Sequence, residues 1–202
     1  MTLSDASTLP DAPYPLFRAW YADAEAREDI MYPGAMCLST TDRDGKPDGR
    51  IVLMHDVGAS GVAFFTDRRS RKGRALDAVP HAALTIYWGP LERQVRMRGA
   101  VRAASAAEAD AFFAERPRRS KITAWASTQS DPAADRAALE DAMTSVERRF
   151  ADHDDIPRPP YWLAYRVQPD TIEFWKARAR RLHDRIEYVT RGDAWTRRRL
   201  AP

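Results

Sequence analysis

The feature that most constrains this fold is a succession of short strand-like segments that lacks any regular alternation of one strand with one helix. The segments are 35–41, 50–54, 62–66, 82–88, 93–102, 162–167, 171–175, 185–189 and 194–199. Turn signals such as Asp44-Gly45, which is typical of a hairpin, separate them. Because parallel strands need long crossover connections, the pattern predicts antiparallel pairing. The sequence therefore predicts a mainly β chain with helices (α+β), arranged as a barrel or sandwich.

Helical periodicity interrupts the strands at a few places. The predicted helical segments are 16–27, 70–79, 105–113 and 139–150. The third of these opens with Ser105 and Glu108, which form a capping-box pattern. A chain of 202 residues is long enough for one domain with its own core, and we assign that domain to 14–202. The polar, proline-containing residues 1–13 are predicted to be a mobile N-terminal segment.

The strand predicted at 93–102 has an unusually charged face. Its apolar residues alternate with polar ones, so that two faces are distinguished. One face carries Val95, Met97 and Val101, and the other carries Gln94, Arg96, Arg98 and Arg102. The charged face must meet solvent, a partner chain or an anionic ligand.

Charge and cysteine content exclude several classes of protein. The 32 basic and 29 acidic residues leave a net charge of only +3, which argues against a nucleic-acid partner. No apolar run reaches the length of a membrane span, and the N-terminal residues do not show the pattern of a secretion signal, so neither a span nor a signal is predicted. The single Cys37 excludes an internal disulfide and fits a reducing cytoplasm. The histidines show no metal-ligand spacing, so no metal site is predicted.

Basic and polar residues lie at the ends of the predicted elements. They are Arg50, Ser70, Arg71, Lys72, Gln129, Ser130, Arg181, His183 and Arg185. A phosphate at the helix that starts near Ser70 would gain from free backbone N–H groups and two cations, although a solvated first turn explains the same residues. In an extended segment, Arg181, His183 and Arg185 share one side and repel one another unless an anion or acid lies between them.

Several stretches together resemble one known family. They are Arg-Ile-Val-Leu-Met at 50–54, Phe-Phe-Thr at 64–66, Ser-Arg-Lys-Gly at 70–73, Leu-Glu-Arg-Gln-Val at 91–95, Arg-Pro-Arg-Arg-Ser at 116–120, Ala-Trp-Ala-Ser-Thr-Gln-Ser at 124–130, Glu-Phe-Trp at 173–175, Arg-Leu-His-Asp-Arg at 181–185 and Arg-Leu-Ala-Pro at 199–202. In this order and spacing they resemble the pyridoxine/pyridoxamine 5'-phosphate oxidases. The resemblance covers about 14–202. It implies an antiparallel FMN-binding split β-barrel that works as a homodimer with flavin at the subunit interface.

The resemblance assigns the flavin contacts residue by residue. The implied FMN-binding residues are Arg50, Ile51, Val52, Leu53, Phe65, Thr66, Arg71, Lys72, Gln94, Gln129, Ser130, Trp175 and Arg185. Their chemistry suits the ligand, because cations match a phosphate and amide or hydroxyl groups match polar ring edges.

The substrate side implied by the resemblance departs from the family pattern. Arg116 and Ser120 match residues that bind the substrate phosphate, and Arg181 and His183 match catalytic residues placed over the substrate ring. His55 and Phe112 stand where the family has a lysine and a tyrosine. The Arg-Arg-x-Tyr element that covers substrate is absent from the N-terminal segment, and Ala177 replaces a glycine. Substrate phosphate is then held loosely, or a group such as Lys121 compensates, or the substrate differs.

Three functions follow from these observations. The first is oxidation of pyridoxine 5'-phosphate or pyridoxamine 5'-phosphate to pyridoxal 5'-phosphate, with hydride transfer to FMN and reduction of O2 to H2O2. The second is oxidation of a reduced tricyclic aromatic acid, as in the phenazine-biosynthesis oxidases, which also lack the phosphate-binding lysine. The third is a non-enzymatic flavin- or pyridoxal-phosphate-binding protein.

Overall fold

The computed structural model describes residues 3–4, 6–192 and 194–202. The strands within them are β1 (Ala35–Thr41), β2 (Pro47–Leu53), β3 (Asp56–Gly58), β4 (Gly61–Asp67), β5 (His81–Trp88), β6 (Arg93–Ala103), β7 (Trp162–Lys176), β8 (Asp184–Arg191) and β9 (Ala194–Arg199). The helices are α1 (Pro13–Glu25), α2 (Arg71–Ala78), α3 (Ala106–Glu115), α4 (Arg118–Ala126) and α5 (Arg136–Arg149). Short 3-10 turns lie at Ala6–Thr8, Gly89–Leu91 and Ala179–Arg181.

All paired strands are antiparallel, and the sheet divides along the long strand β7. The main path runs β2-β1-β5-β6-β7-β4-β3, with β8 on β7 and β9 on β8. One edge of β7 pairs with β6 over most of its length. The opposite edge pairs first with β4 and then with β8. This division curls the sheet into a split half-barrel and confirms the predicted mainly β fold with helices.

The prediction of two strands at 162–167 and 171–175 was wrong, because β7 is continuous through Pro169. The pairing of β6 with β7 shifts register between Arg98 and Gly99, and Gly99 lies opposite Pro169. A Cβ atom on Gly99 would lie 2.0 Å from the carbonyl oxygen of Gln168, so only glycine permits this close approach. The bulge accommodates a proline that lacks the N–H needed for regular pairing.

The core lies between helix α1 and the inner face of the sheet. Trp20 of α1 packs edge-on against Phe174 of β7, with ring centroids 5.3 Å apart. The predicted inner face of β6 is confirmed, since Val95, Met97 and Val101 are all buried. Burial of these side chains supplies the main driving force for the fold and leaves Arg96, Arg98 and Arg102 exposed on the outer face of β6.

A second, smaller cluster joins α4 and α5. Its buried residues are Ile122, Phe150 and Ile156, and Met143 and Val146 of the predicted helix at 139–150 pack against it. The sequence did not predict α4, because its stretch is rich in charge and has no clear apolar stripe. Its position matters, since it brings the segment that follows it, 127–130, to the end of β4.

The described part of the N-terminal segment contacts the C-terminal strands. Leu3 and Leu9 are buried, and the Arg199 guanidinium donates to the carbonyl oxygens of Leu3 and Ser4 at 2.7 and 2.9 Å. Residues 1, 2 and 5 lie outside the described part of the chain. The mobility expected for 1–13 stays a prediction.

Candidate functional site

A cavity of about 570 Å³ lies where β2, β4, α3 and α4 meet. Predicted site residues form most of its lining: Arg50, Ile51, Val52, Leu53, His55, Phe65, Thr66, Lys72, Phe112, Arg116, Ser120 and Gln129. Met54 and Pro117 complete it and were not predicted. Residues far apart in sequence are thus brought together, as the resemblance implied.

One end of this cavity is cationic. Arg50 and Lys72 at this end also line an adjacent space of about 340 Å³, together with Asp48, Arg71 and Ser130. Arg50 donates to Thr40 Oγ1 at 2.8 Å and forms an ion pair with Asp48 at 2.6 Å. Burial and the nearby Arg50 charge lower the pKa of Lys72, so the ammonium would gain from a nearby anion. Asp48 was missed, although it lies two residues before Arg50 on the same side of β2.

Two of these cations, Arg71 and Lys72, lie in the first turn of α2. Ser70 caps the helix, since its Oγ accepts from the Gly73 N–H at 3.2 Å. A Cβ on Gly73 would lie 2.2 Å from the Arg68 carbonyl oxygen, so glycine lets the helix start close to the preceding loop. Arg71 and Lys72 therefore project from the first turn beside β2.

The side-chain amide of Gln129 has a defined orientation. Its Oε1 accepts from Thr66 Oγ1 at 2.8 Å and from Lys72 Nζ at 3.0 Å. The amide nitrogen is then the group left to donate towards a ligand. Three residues predicted to bind the cofactor are thus joined in one hydrogen-bonded set.

Aromatic rings form the opposite wall. Phe112 contacts His55 with centroids 3.9 Å apart and stacks on Phe65 at 4.0 Å. Trp162, which was not predicted as a site residue, stacks behind Phe65 at 4.9 Å. Such a wall presents flat, apolar surface to a ligand ring and a weak hydrogen-bonding group in His55.

Arg116 lies beside this wall with part of its donor capacity unused. Its guanidinium lies 4.6 Å from the Trp162 ring centroid. Its Nε is buried and has no hydrogen-bond partner among the described residues, and burial lowers the pKa of the side chain. Ser120 also lines the cavity. Lys121 does not line it and instead forms an ion pair with Asp155 at 3.0 Å, so the structure does not support compensation by Lys121.

The remaining predicted residues form a second group on β6, β7 and β8. Gln94 is paired with Trp175, and Trp175 with Arg185. Trp175 lies 4.8 Å from the His183 ring, and His183 Nδ1 accepts from the backbone N–H of Arg178 at 3.2 Å. None of these residues lines the cavity of the first group within one chain.

The interpretation of 181–185 as one extended segment was wrong. Arg181 ends a 3-10 turn and has φ of 61°, and β8 begins only at Asp184. Arg185 is engaged by Glu173 at 2.7 Å and donates to the Ala201 carbonyl at 2.8 Å. The acid that pairs with Arg185 is Glu173, which lies on the neighbouring strand β7.

Sequence comparison identifies the family. A profile described as "Pyridoxamine 5'-phosphate oxidase" matches residues 22–150. The chain belongs to the pyridoxamine 5'-phosphate oxidase family. A second profile, "Pyridoxine 5'-phosphate oxidase C-terminal dimerisation region", matches residues 162–202, which include the whole of β7, β8 and β9. Membership in this oxidase family confirms the predicted recognition and the prediction of an oxidase.

Curated relatives within the family are similar over nearly their whole length. The pyridoxine/pyridoxamine 5'-phosphate oxidase of Ectopseudomonas mendocina (strain ymp) is 46% identical over 202 residues, covering 99% of this chain and 93% of that protein. The protein of the same name from Rubrobacter xylanophilus is 45% identical over 200 residues, covering 99% and 91%.

Two solved structures share the fold. PhzG from Burkholderia lata 383, crystallised with tetrahydrophenazine-1-carboxylic acid, has a TM-score of 0.91 at 30% identity and covers 100% of this chain and 98% of its own. A pyridoxamine 5'-phosphate oxidase-related, FMN binding protein from Nostoc punctiforme has a TM-score of 0.75 at 18% identity, covering 96% and 100%. In the part of this chain that is described, no helix is long and apolar enough to cross a membrane.

Proposed function

We propose that this chain is an FMN-dependent oxidase that converts pyridoxine 5'-phosphate or pyridoxamine 5'-phosphate to pyridoxal 5'-phosphate. The observation that carries the proposal is that the cationic space around Arg50, Arg71 and Lys72 adjoins the aromatic-walled cavity and shares Arg50 and Lys72 with it. This arrangement offers two anion-binding regions separated by flat apolar surface. The curated relatives carry the name of this activity.

The residues present fit FMN. Arg50, Arg71 and Lys72 supply positive charge for a phosphate, and the partly buried Lys72 gains from such a charge. Thr66 and Lys72 both donate to the oxygen of the Gln129 amide and so fix its orientation. The amide nitrogen is then left to donate to an acceptor on the flavin ring. Ile51 and Leu53 are 65% and 59% exposed on β2, and they would be covered by a ring system or a partner chain.

On the substrate side, we assign Arg116 and Ser120 to the substrate phosphate. The buried, unpartnered Nε of Arg116 supports this assignment, since a phosphate oxygen would satisfy it. When bound, the flavin would accept a hydride from the substrate C4' carbon and pass the electrons to O2, which becomes H2O2. The task of the chain is to orient substrate and cofactor and to exclude water.

We further propose that the working unit is a cytoplasmic homodimer. The second group, with Trp175, Arg181 and His183, lies in the region that matches a dimerisation profile and is separate from the cavity in one chain. A partner subunit would bring this group over the flavin and the substrate ring. Arg181 and His183 would then orient the ring and ease loss of the substrate proton. The single Cys37 fits a reducing compartment.

The test is turnover by the purified, flavin-loaded protein. Pyridoxine 5'-phosphate and pyridoxamine 5'-phosphate are supplied with O2, and pyridoxal 5'-phosphate and H2O2 are measured together. We expect one H2O2 for each pyridoxal 5'-phosphate. A flavin-loaded protein that forms neither product at saturating substrate contradicts the proposal.

A second candidate substrate is a reduced tricyclic aromatic acid. The observation that favours it is the edge-on contact of the His55 and Phe112 rings, which stand where the family has a phosphate-binding lysine and a tyrosine. The likeness to PhzG, whose crystal contains tetrahydrophenazine-1-carboxylic acid, points the same way. Turnover of that acid at a higher kcat/KM than that of pyridoxine 5'-phosphate or pyridoxamine 5'-phosphate would make this the preferred function.

A further inference from the structure

The segment between α4 and α5 carries two of the residues proposed to bind flavin. Gln129 and Ser130 lie in a stretch without regular secondary structure, and Ser130 has a φ of 75°. A non-glycine residue with positive φ is held by its surroundings and is not a local preference. The orientation of this segment therefore depends on contacts made elsewhere.

Besides the Thr66–Gln129 hydrogen bond, Arg69 makes a second contact that joins this segment to the end of β4. Its Nε and NH2 groups bind the Asp67 carboxylate, with the NH2 to Oδ2 distance at 2.8 Å, and its NH2 also donates to the carbonyl oxygen of Ser127 at 3.2 Å. The guanidinium lies on the ring of Tyr161, 3.2 Å from the centroid. Asp67 itself is 6% exposed, so its carboxylate is shielded from water, whereas the Arg69 side chain is 40% exposed.

We propose that Arg69 is a positioning residue for the flavin site, acting through the backbone of Ser127 on Gln129. The inference rests on the proposed function, since it concerns the affinity for FMN. Ser127 is two residues before Gln129, and Gln129 must reach both Thr66 and Lys72 with one oxygen. Loss of the Ser127 contact frees the segment, and the amide then loses its fixed orientation.

A guanidinium is required because of its shape. The forked group binds Asp67 and reaches the Ser127 carbonyl at the same time while lying flat on Tyr161. A lysine at this position keeps the charge beside Asp67 but has a single nitrogen for both acceptors. Arg69→Lys therefore separates the role in ion pairing from the role in holding the segment.

The experiment is titration of the flavin-free full-length protein with FMN, followed by quenching of flavin fluorescence. Arg69→Lys is expected to raise the Kd for FMN by about tenfold or more, the effect of one lost charged hydrogen bond. Arg68→Lys is the matched control, because Arg68 pairs with Asp77 at 2.6 Å and is 58% exposed. We expect its Kd within about twofold of wild type.

A double-mutant cycle tests the route of the effect. With Gln129→Ala in place, Arg69→Lys should add much less to the Kd than it does alone, whereas a general structural effect would add in full. Tyr161→Leu, which removes the ring under the guanidinium, should weaken FMN binding in the same direction. An Arg69→Lys protein that binds FMN like wild type, or full additivity in the cycle, overturns the inference alone. Failure of the wild-type protein to bind FMN overturns the proposed function as well.

Discussion

At the scale of single residues, the cavity differs from the family pattern mainly at His55 and Phe112. The centroids of the two rings are 3.9 Å apart, so the two residues form one continuous part of the aromatic wall. An imidazole lacks the permanent charge of a lysine, and a phenyl ring lacks the hydroxyl of a tyrosine. The guanidinium of Arg116 is therefore left as the main permanent charge near the proposed substrate phosphate.

Substitution of His55 by lysine is expected to restore the missing charge. A charged hydrogen bond contributes about 1.5–3 kcal/mol, so the KM for pyridoxine 5'-phosphate should fall by about tenfold or more. Loss of the ring contact with Phe112 offsets part of this gain. Steady-state kinetics on His55→Lys measures the change, with His81→Lys as control because His81 is exposed on β5 outside the cavity. An unchanged or higher KM contradicts the charge argument.

At the scale of elements, Asp184 links the start of β8 to its neighbours. Its carboxylate pairs with Arg178 at 2.6 Å and with Arg199 of β9 at 2.7 Å. Arg199 in turn holds the N-terminal segment through Leu3 and Ser4. The backbone of Arg178 binds His183, so this network also supports the turn that carries Arg181 and His183.

Asp184→Asn is expected to lower the free energy of unfolding by about 1.5–3 kcal/mol near neutral pH, because two charged contacts are lost. Burial alone would raise the pKa of Asp184, but Arg178 and Arg199 hold it below its usual value. The folded state therefore binds the proton more weakly than the unfolded state does. The stability from the carboxylate is present above about pH 4 and is lost as pH falls through the folded pKa.

Urea unfolding at neutral pH and near pH 3 measures this dependence. The difference between wild type and Asp184→Asn should shrink in acid. The control is Asp141→Asn, an exposed carboxylate on α5. A difference that is equal at both pH values would show that the carboxylate charge contributes nothing.

At the scale of the whole molecule, the predicted site is divided into two groups. The cavity lies among β2, β4, α3 and α4, and the group around Trp175 and His183 lies on the other branch of the divided sheet. The division of β7 pairing between β4 and β8 is what separates them. A site composed of both groups requires two chains if each chain keeps this fold.

Subunit complementation tests this arrangement. Lys72→Ala removes a cation from the cavity, and Arg185→Ala removes one from the second group. Each variant alone should bind FMN poorly, whereas random reassociation of the two should restore about a quarter of the wild-type sites, since about half of the dimers are mixed and each has one intact site. FMN titration before and after mixing measures the recovery. No recovery in demonstrably mixed dimers means that both groups serve the same chain's site.

The sequence by itself determined the elements and most of the chemistry of the site. Alternation of apolar and polar residues located β6, because side chains on a strand point alternately to the two faces. Short-range signals located α2 and α3, since the caps Ser70 and Ser105 act within one helical turn. The motif set identified the family and hence the residues of the cavity.

Tertiary structure decided what depends on contacts between distant segments. The continuity of β7 through Pro169 depends on the opposing Gly99, and the turn at Arg181 is not visible in local spacing. The orientation of Gln129, the role of Trp162 in the aromatic wall and the diversion of Lys121 to Asp155 all arise from partners at least 34 residues away. The local sequence pattern indicates which side chains share one face of a strand or helix, but only tertiary packing determines which faces contact each other. This packing separates the two groups of site residues within one chain.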